Sequence, residues 1–342
     1  MGRTLSNVDP SLRRCWHPVA RPAEVTESPR RFLLLGEPWV LYRVGGEVVA
    51  FADRCPHRRA PLSIGQCDGG VLQCAYHGWR FDHSGRCVAI PALGDGATIP
   101  PAARLTPAAG VREAFGMVFL APEDPLTPLG EIPEAADPSF AVGELPTFIA
   151  RGSAGLLADN FLDVAHFPFV HAGTFGAEEA VEVPQYSVAR DGWSFTMSYE
   201  HPFANREDSA VAAGTRPLVQ TRRLAYRLDA PFQLRLRIDF VEAGGANVIG
   251  FFIQPETAET CRLFTTLWRD DLGGDPERME AAVSFEVDVL REDLAVQEAY
   301  HELVLPLAVT DEVHTRADRT TVELRRVLSD LVATAESTGP PA

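Results

Sequence analysis

Cys55-Pro56-His57-Arg58-Arg59 and Cys74-Ala75-Tyr76-His77-Gly78-Trp79 each place one thiol and one imidazole in a short loop. Sixteen residues separate His57 from Cys74. Strand-like runs frame both loops. Phe32–Leu35 ends at Gly36, and Trp39–Val44 turns at Gly45-Gly46 into Glu47–Phe51, a hairpin signal. A second hairpin, Trp79–Asp82 into Cys87–Pro91, turns at Ser84-Gly85, and Gly116–Leu120 reads as a final strand. Two thiolates with two imidazoles suit a tetrahedral zinc site. They equally suit a two-iron, two-sulfide cluster in which histidines replace cysteines on one iron. Zinc fingers pair like with like on a hairpin and a helix, whereas each loop here mixes the two ligand types. Cys67 and Cys87 fall outside both patterns and read as small packing thiols, and His83 reads as an exposed turn residue.

A second cluster of chemistry lies at Asp159-Asn160-Phe161-Leu162-Asp163-Val164-Ala165-His166-Phe167-Pro168-Phe169-Val170-His171. Asn160, Asp163 and His166 are three apart, so on a helix over about 154–167 each would touch the next. His166 and His171 are five apart and fall on different helix faces. Pro168 predicts a break or fresh turn that swings the second imidazole back toward the first. The bland alternative is one core histidine and one surface histidine. Two histidines alone make a weak divalent-metal site, and a facial triad needs a carboxylate. Residues Pro276–His301 have a helical period and offer Glu286, Asp288, Glu292, Asp293 and Glu298.

The remaining sequence bounds the answer. At 342 residues the chain has room for about two domains. A net charge of −16 argues against binding a polyanion through general charge attraction, so nucleic acid and anionic membrane are poor partners. No apolar run is long enough to span a bilayer, and residues 1–15 lack a signal-peptide core, so a cytoplasmic location is expected. Met1–Ser6 fits a loose acylation pattern without the second signal that stable anchoring needs. Six cysteines without an export signal point to metal rather than disulfides. Proline-rich residues 121–147 read as a connector laid over the surface between a domain at 1–120 and one at 148–342. Between Trp193 and Trp268 the apolar alternation predicts an antiparallel sheet, with a polar, mobile loop at 203–217. A last helix is expected from about Arg319 to Val332, with Ala335–Ala342 frayed. The fold class is α+β: an all-β first domain, then a curved sheet gripping a long helix around a cavity.

Taken together, Cys-x-His, Cys-x-x-His, Asp-x-x-His-x4-His and a late Glu-Asp pair resemble the oxygenase subunits of Rieske non-haem iron oxygenases. Among them the chain is most similar to the shorter vanillate O-demethylase and dicamba monooxygenase type. The resemblance implies that Cys55 and Cys74 hold one iron of a [2Fe-2S] cluster, and His57 and His77 the other. Neutral imidazoles would raise its potential into a range of roughly −150 to +300 mV, with Pro56, Tyr76 and Trp79 shielding it. It further implies a mononuclear Fe(II) on His166, His171 and Asp293, with Glu292 facing elsewhere. Asp163 becomes an electron bridge from His77 of a neighbouring subunit to His166, which implies a homotrimer, and Asn160 a further candidate beside the iron. Electrons would come from a separate NAD(P)H-dependent reductase or ferredoxin, with O2 as cosubstrate. The implied reaction is monooxygenation, by hydroxylation or oxidative demethylation, of a small aromatic substrate. Aromatic cis-dihydroxylation is the main rival, and a Rieske electron carrier or a ligand-binding module are others. The substrate is not legible.

Overall fold

The computed structural model describes residues 2–176, 181–206 and 208–338. Met1 of the acylation pattern, Glu207 of the polar loop and the last four residues of the tail expected to fray lie outside these. The chain forms two compact units, Leu12–Leu126 on one hand and Met1–Ser11 with Thr127–Ala342 on the other.

The unit Leu12–Leu126 is built from three small antiparallel sheets. Arg30–Leu34, Glu37–Val44 and Glu47–Ala52 form the first, and the Gly45-Gly46 turn is where the sequence puts it. Gln66–Asp68, Val71–Gln73, Arg80–Phe81 and Cys87–Ala89 form the second, and His17–Ala20, Gly110–Ala114 and Met117–Ala121 the third. Cys55, Cys74 and Cys87 lie in a core with Tyr42, Phe51, Leu72 and Phe81, and Cys67 packs at its margin.

The other unit is dominated by an eight-stranded antiparallel sheet. From one edge its strands are Val188–Asp191, Ser194–Ala204, Val219–Asp229, Gln233–Phe240, Ala246–Pro255 and Thr260–Arg269; the last pairs with both Phe148–Arg151 and Ala141–Glu144. Strands 194–204, 219–229 and 233–240 alternate buried residues with exposed or half-buried ones, as strands with one covered face do. Strand 246–255 is buried throughout. The long helix Pro276–Glu298 packs against strand Ala141–Glu144 at Gly143, where a β-carbon would stand 2.6 Å from Met279 Sδ and 2.8 Å from Val283 Cγ2. Residues 141–144 are therefore sheet, not surface connector, and glycine is what lets the helix approach. The last helix runs Arg319–Thr338, so 335–338 are helical rather than frayed, with Ala335 buried. The polar loop contains a short helix, Ser209–Ala212, capped by Asp208.

The first residues belong to this unit for a physical reason that their composition hides. Thr4–Leu5 pairs with Leu305–Pro306. Asn7, buried, donates to Gly152 O and Thr260 O and accepts from Ala154 N at 2.8 Å. It thereby satisfies backbone groups at the start of helix Ala154–Leu162, whose N-cap is Ser153.

Candidate active site

Helix Ala154–Leu162 stops four residues earlier than a reading through His166 requires. Asp163 is its C-cap, with extended backbone, and a second short helix, Phe167–Val170, starts with His166 as N-cap and Pro168 in its first turn. Proline is tolerated there because first-turn N–H groups have no intrahelical partner. The break therefore falls at 163–166 and turns both histidines inward. Gly176 closes the turn beyond them, its N–H on His171 O; a β-carbon there would meet Phe167 O at 2.6 Å. Asp159 points the other way, into a bidentate pair with the buried guanidinium of Arg325 on the last helix.

The consequence is a compact donor set. His166 Nε2 and His171 Nε2 are 3.1 Å apart, and Asp293 Oδ1 lies 3.4 and 3.3 Å from them. Among the described residues, His166, His171 and Asp293 are the one group of three or more ligating side chains close enough to share an ion. Two imidazoles and one carboxylate on one face match a mononuclear iron triad in donor type. Each donor has its own brace. Asp163 Oδ2 lies 3.3 Å from His166 Nδ1, while its Oδ1 accepts from Ala165 N. Asn160 Nδ2 donates to Asp293 Oδ1 at 3.2 Å. Glu292 Oε2 lies 2.8 Å from His171 Nδ1 and accepts from Thr174 Oγ1. Glu292 thus does not face elsewhere: one methylene longer than its neighbour, it reaches the back of the same imidazole. Burial disfavours the charged form of His166, but its hydrogen bonds to the Asp163 and Asp293 carboxylates outweigh it and raise its pKa to about 9. Burial likewise opposes ionisation of Asp293, yet the two imidazoles hold it down at about 2. In that electrostatic setting a cation is what the two carboxylates call for.

A cavity opens beside the triad between the sheet and the long helix. Its walls include Phe161, Tyr226, Phe251, Leu236, Val289 and Asn160. Phe161 stacks on Phe251 at 4.4 Å between ring centroids and meets Tyr226 edge-on. Phe175 stacks on His171 at 4.6 Å. Neither Phe175 nor Asn7 announces itself in the sequence; one is a single aromatic after a histidine, the other a polar residue far from the site it braces.

In the smaller unit the two cysteine loops share one backbone pattern. Cys55 N donates to Ala60 O and Arg59 N to Cys55 O; Cys74 N donates to Trp79 O and Gly78 N to Cys74 O. The residue four beyond each cysteine has positive φ, 60° at Arg59 and 70° at Gly78. The thiols are buried and adjacent: desolvation and the neighbouring Cys74 thiol lift Cys55 to about 11, against backbone donors that lower it. The imidazoles of His57 and His77 point outward with ring centroids 4.5 Å apart. Two sulfurs inside and two nitrogens at the surface fit a cluster whose histidine-bound iron is the outer one. Trp79 stacks flat on His57 at 4.7 Å, as a shield should. Pro56 and Tyr76 do not bury the site in this chain, Tyr76 being 64% exposed while its ring leans on His77 at a tilt of 43°.

Comparison with known proteins agrees. Residues 15–101 match the Rieske [2Fe-2S] domain, and residues 150–334 the vanillate O-demethylase oxygenase C-terminal domain. Methylxanthine N3-demethylase NdmB of Pseudomonas putida is 30% identical over 95% of this chain and 90% of its own. Methylxanthine N1-demethylase NdmA of the same organism is 28% identical over 94% and 89%. The structure of NdmA with caffeine superposes with a TM-score of 0.84 at 26% identity, covering 97% of this chain and 94% of that one. Dicamba monooxygenase bound to 3,6-dichlorosalicylic acid shares the fold, with a TM-score of 0.82 at 24% identity over 98% and 100%. The chain belongs to the Rieske non-haem iron oxygenases, in the branch with a vanillate O-demethylase-type catalytic domain, as an oxygenase component that uses a [2Fe-2S] cluster and mononuclear iron.

Proposed function

We propose that Cys55, His57, Cys74 and His77 hold the [2Fe-2S] cluster, that His166, His171 and Asp293 hold the iron, and that the enzyme oxidatively demethylates a small planar methylated substrate. The observation that carries this reading is the braced two-histidine, one-carboxylate set opening onto an aromatic-walled cavity in the same unit. When bound, the cluster supplies electrons one at a time and the iron supplies activation of O2. The overall balance consumes one O2, two electrons and two protons; one oxygen enters a substrate C–H bond and the other leaves as water. Hydroxylation of a methyl on nitrogen or oxygen gives a hydroxymethyl group that collapses to formaldehyde and the demethylated product.

The chain's own residues prepare this chemistry. Asp163 and Glu292 each occupy the Nδ1 side of a histidine, which fixes both ring orientations and leaves Nε2 for metal. Asn160 holds the Asp293 oxygen that both imidazoles approach. Phe161 and Phe251 offer stacked faces to a flat substrate and exclude water from the cavity. The methylxanthine demethylases supply the analogy for a planar, methylated substrate. Asp163 keeps about a third of its side chain exposed while its other side meets His166. That open face supports a role as electron bridge from His77 of a neighbouring copy, and hence a homotrimer. The electrons come from a separate reductase or ferredoxin, and a cytoplasmic location suits that supply; among the described residues no helix is long and apolar enough to cross a membrane.

Purified holoprotein tests the reading. It should show Rieske-type visible absorption and bind iron beyond the cluster. With a reductase, NADH and O2 it should convert a methylated aromatic to a demethylated product with matching formaldehyde. Absence of the second iron, or incorporation of both oxygen atoms into a cis-diol, would overturn it.

A further inference from the structure

The strand Val219–Asp229 carries an anomaly at its second turn of alternation. Gln220, Leu224, Tyr226 and Leu228 are buried on the face turned to the cavity, and Arg222 stands in the same row. Its neighbour Arg223 faces outward and pairs with Glu200. Strand alternation thus forces one arginine into water and the next into the core. Arg222 is 4% exposed and lines the cavity beside the triad.

Among the described residues no hydrogen bond or ion pair reaches this guanidinium, and Nε and Nη2 are buried without acceptors. Tyr199, Tyr226 and, on the same cavity wall, Glu286 act on it electrostatically. What surrounds the charge is aromatic: its Cζ lies 4.3 Å from the Phe175 ring centroid, 5.1 Å from Phe203 and 5.2 Å from Phe167. Ring faces offset part of the desolvation cost of a cation but accept none of its five N–H groups in the plane. A guanidinium cannot shed its proton to escape this, so the site holds a buried positive charge with unmet donors. Phe175 carries that guanidinium over its ring and also stacks on His171, so one ring contacts both Arg222 and a histidine of the triad.

We infer that Arg222 is the anion anchor of the substrate cavity, and that the substrate is a planar molecule bearing a carboxylate or sulfonate, held there with its methyl group turned to the triad. The inference rests on the oxygenase reading for the identity of the cavity and adds the charge of what enters it. A carboxylate or sulfonate supplies the acceptors that the phenylalanines lack, in the geometry arginine recognises best. A neutral methylated purine leaves the donors unmet. Specificity then comes from the cost of leaving a buried charge unpaired, which penalises the uncharged isostere more than a missing contact would.

The test compares matched ligands on the holoenzyme. Methoxybenzoates and methoxybenzenesulfonates are titrated against methoxybenzamides by calorimetry, for wild type and for Arg222→Met and Arg222→Lys. The wild type should bind at least one anion about tenfold or more tighter than its amide. Arg222→Met should erase that preference by weakening anion binding more than amide binding, and should not lower the ligand-free melting temperature, because an apolar side chain replaces an unpaired buried charge. Arg222→Lys, which keeps the charge but loses the planar fork, should retain part of the preference and serves if the methionine variant fails to fold. A wild type with no preference for any anion, or a preference that survives Arg222→Met, overturns the proposal. So does a fall in melting temperature with equal loss of anion and amide binding, the signature of a purely structural cation. Turnover separates this from the parent reading: O2-dependent demethylation in wild type with no rate advantage for the anionic over the neutral substrates sinks the anchor and leaves the oxygenase, whereas anion preference in binding without any O2-dependent product does the reverse.

Discussion

The two proposed ligand sets are built in opposite ways. Cys55, His57, Cys74 and His77 come from two nearby loops, each closed by its own backbone hydrogen bonds, with the imidazoles at the surface. His166, His171 and Asp293 are buried or nearly so, come from helices far apart in sequence, and depend on side-chain braces from Asp163, Glu292 and Asn160. The difference follows from what each does. An electron can enter through an exposed ring edge, so a stiff local loop suffices. Oxygen chemistry needs water kept away and donors held to fractions of an ångström, which takes a core and a second layer of contacts.

The sharpest way to break this contrast is Asp163→Ala. At saturating Fe(II), turnover should be nearly abolished while cluster absorption and bound iron both stay at wild-type levels, because Asp163 touches His166 without being one of the three clustered donors. Loss of iron in proportion to activity would make Asp163 a brace and nothing more.

The smaller unit has an acid weakness that the cluster loops do not explain. His17 is fully buried, with Nε2 on Leu12 O and Nδ1 unpartnered, and burial lowers its pKa to about 4 against the backbone contact that raises it. Its folded pKa lies below the unfolded value of 6.5, so between these values the unfolded chain binds a proton that the folded unit refuses. Stability should therefore be lost as pH falls from about 6.5 to about 4, by roughly 3 kcal/mol in all. Urea titrations following the cluster absorbance across this range, in wild type and His17→Gln, should show a weaker pH dependence in the variant; identical slopes would refute the assignment.

Glu292→Ala should weaken iron binding about 10- to 100-fold, as loss of an outer partner to a ligand histidine does, without touching the cluster spectrum. Iron affinity measured by chelator competition decides it, and unchanged affinity would show that Thr174 and packing hold His171 unaided. The smallest effects belong to the loops. Gly78→Ala should cost about 1–2 kcal/mol, since an alanine at φ 70° is strained and its β-carbon meets Pro91 Cγ at 3.2 Å. Arg59→Gly, at the equivalent place in the other loop, should be neutral to slightly stabilising. Equal responses at both positions would end the claim that the two loops share one backbone design.

Much of this was legible before any fold was known. Mixed Cys/His loops and paired histidines around Pro168 name their chemistry, because ligands a few residues apart are positioned by local backbone geometry. Legibility ends where distance enters. A helix period from Asn160 to His166 suggests a continuous helix, yet Asp163 caps it. Residues 1–11 read as the start of the first domain, yet Asn7 ties them to the start of the iron-site helix. Arg222 and Arg223 are indistinguishable as letters, and only the register of strand 219–229 in the sheet turns one of them inward.

The acidic pair on the long helix shows the division most plainly. Sequence alone determined that the late helix offers carboxylates, at Glu286, Asp288, Glu292, Asp293 and Glu298, and the family resemblance pointed to Asp293 with Glu292 facing elsewhere. Tertiary structure decided that both serve, one at Nε2 and one at Nδ1 of His171. Adjacent residues on a helix point about 100° apart. Which of them meets the site depends on how packing at Gly143 and the sheet rotates the whole helix, and side-chain length then settles what each can reach.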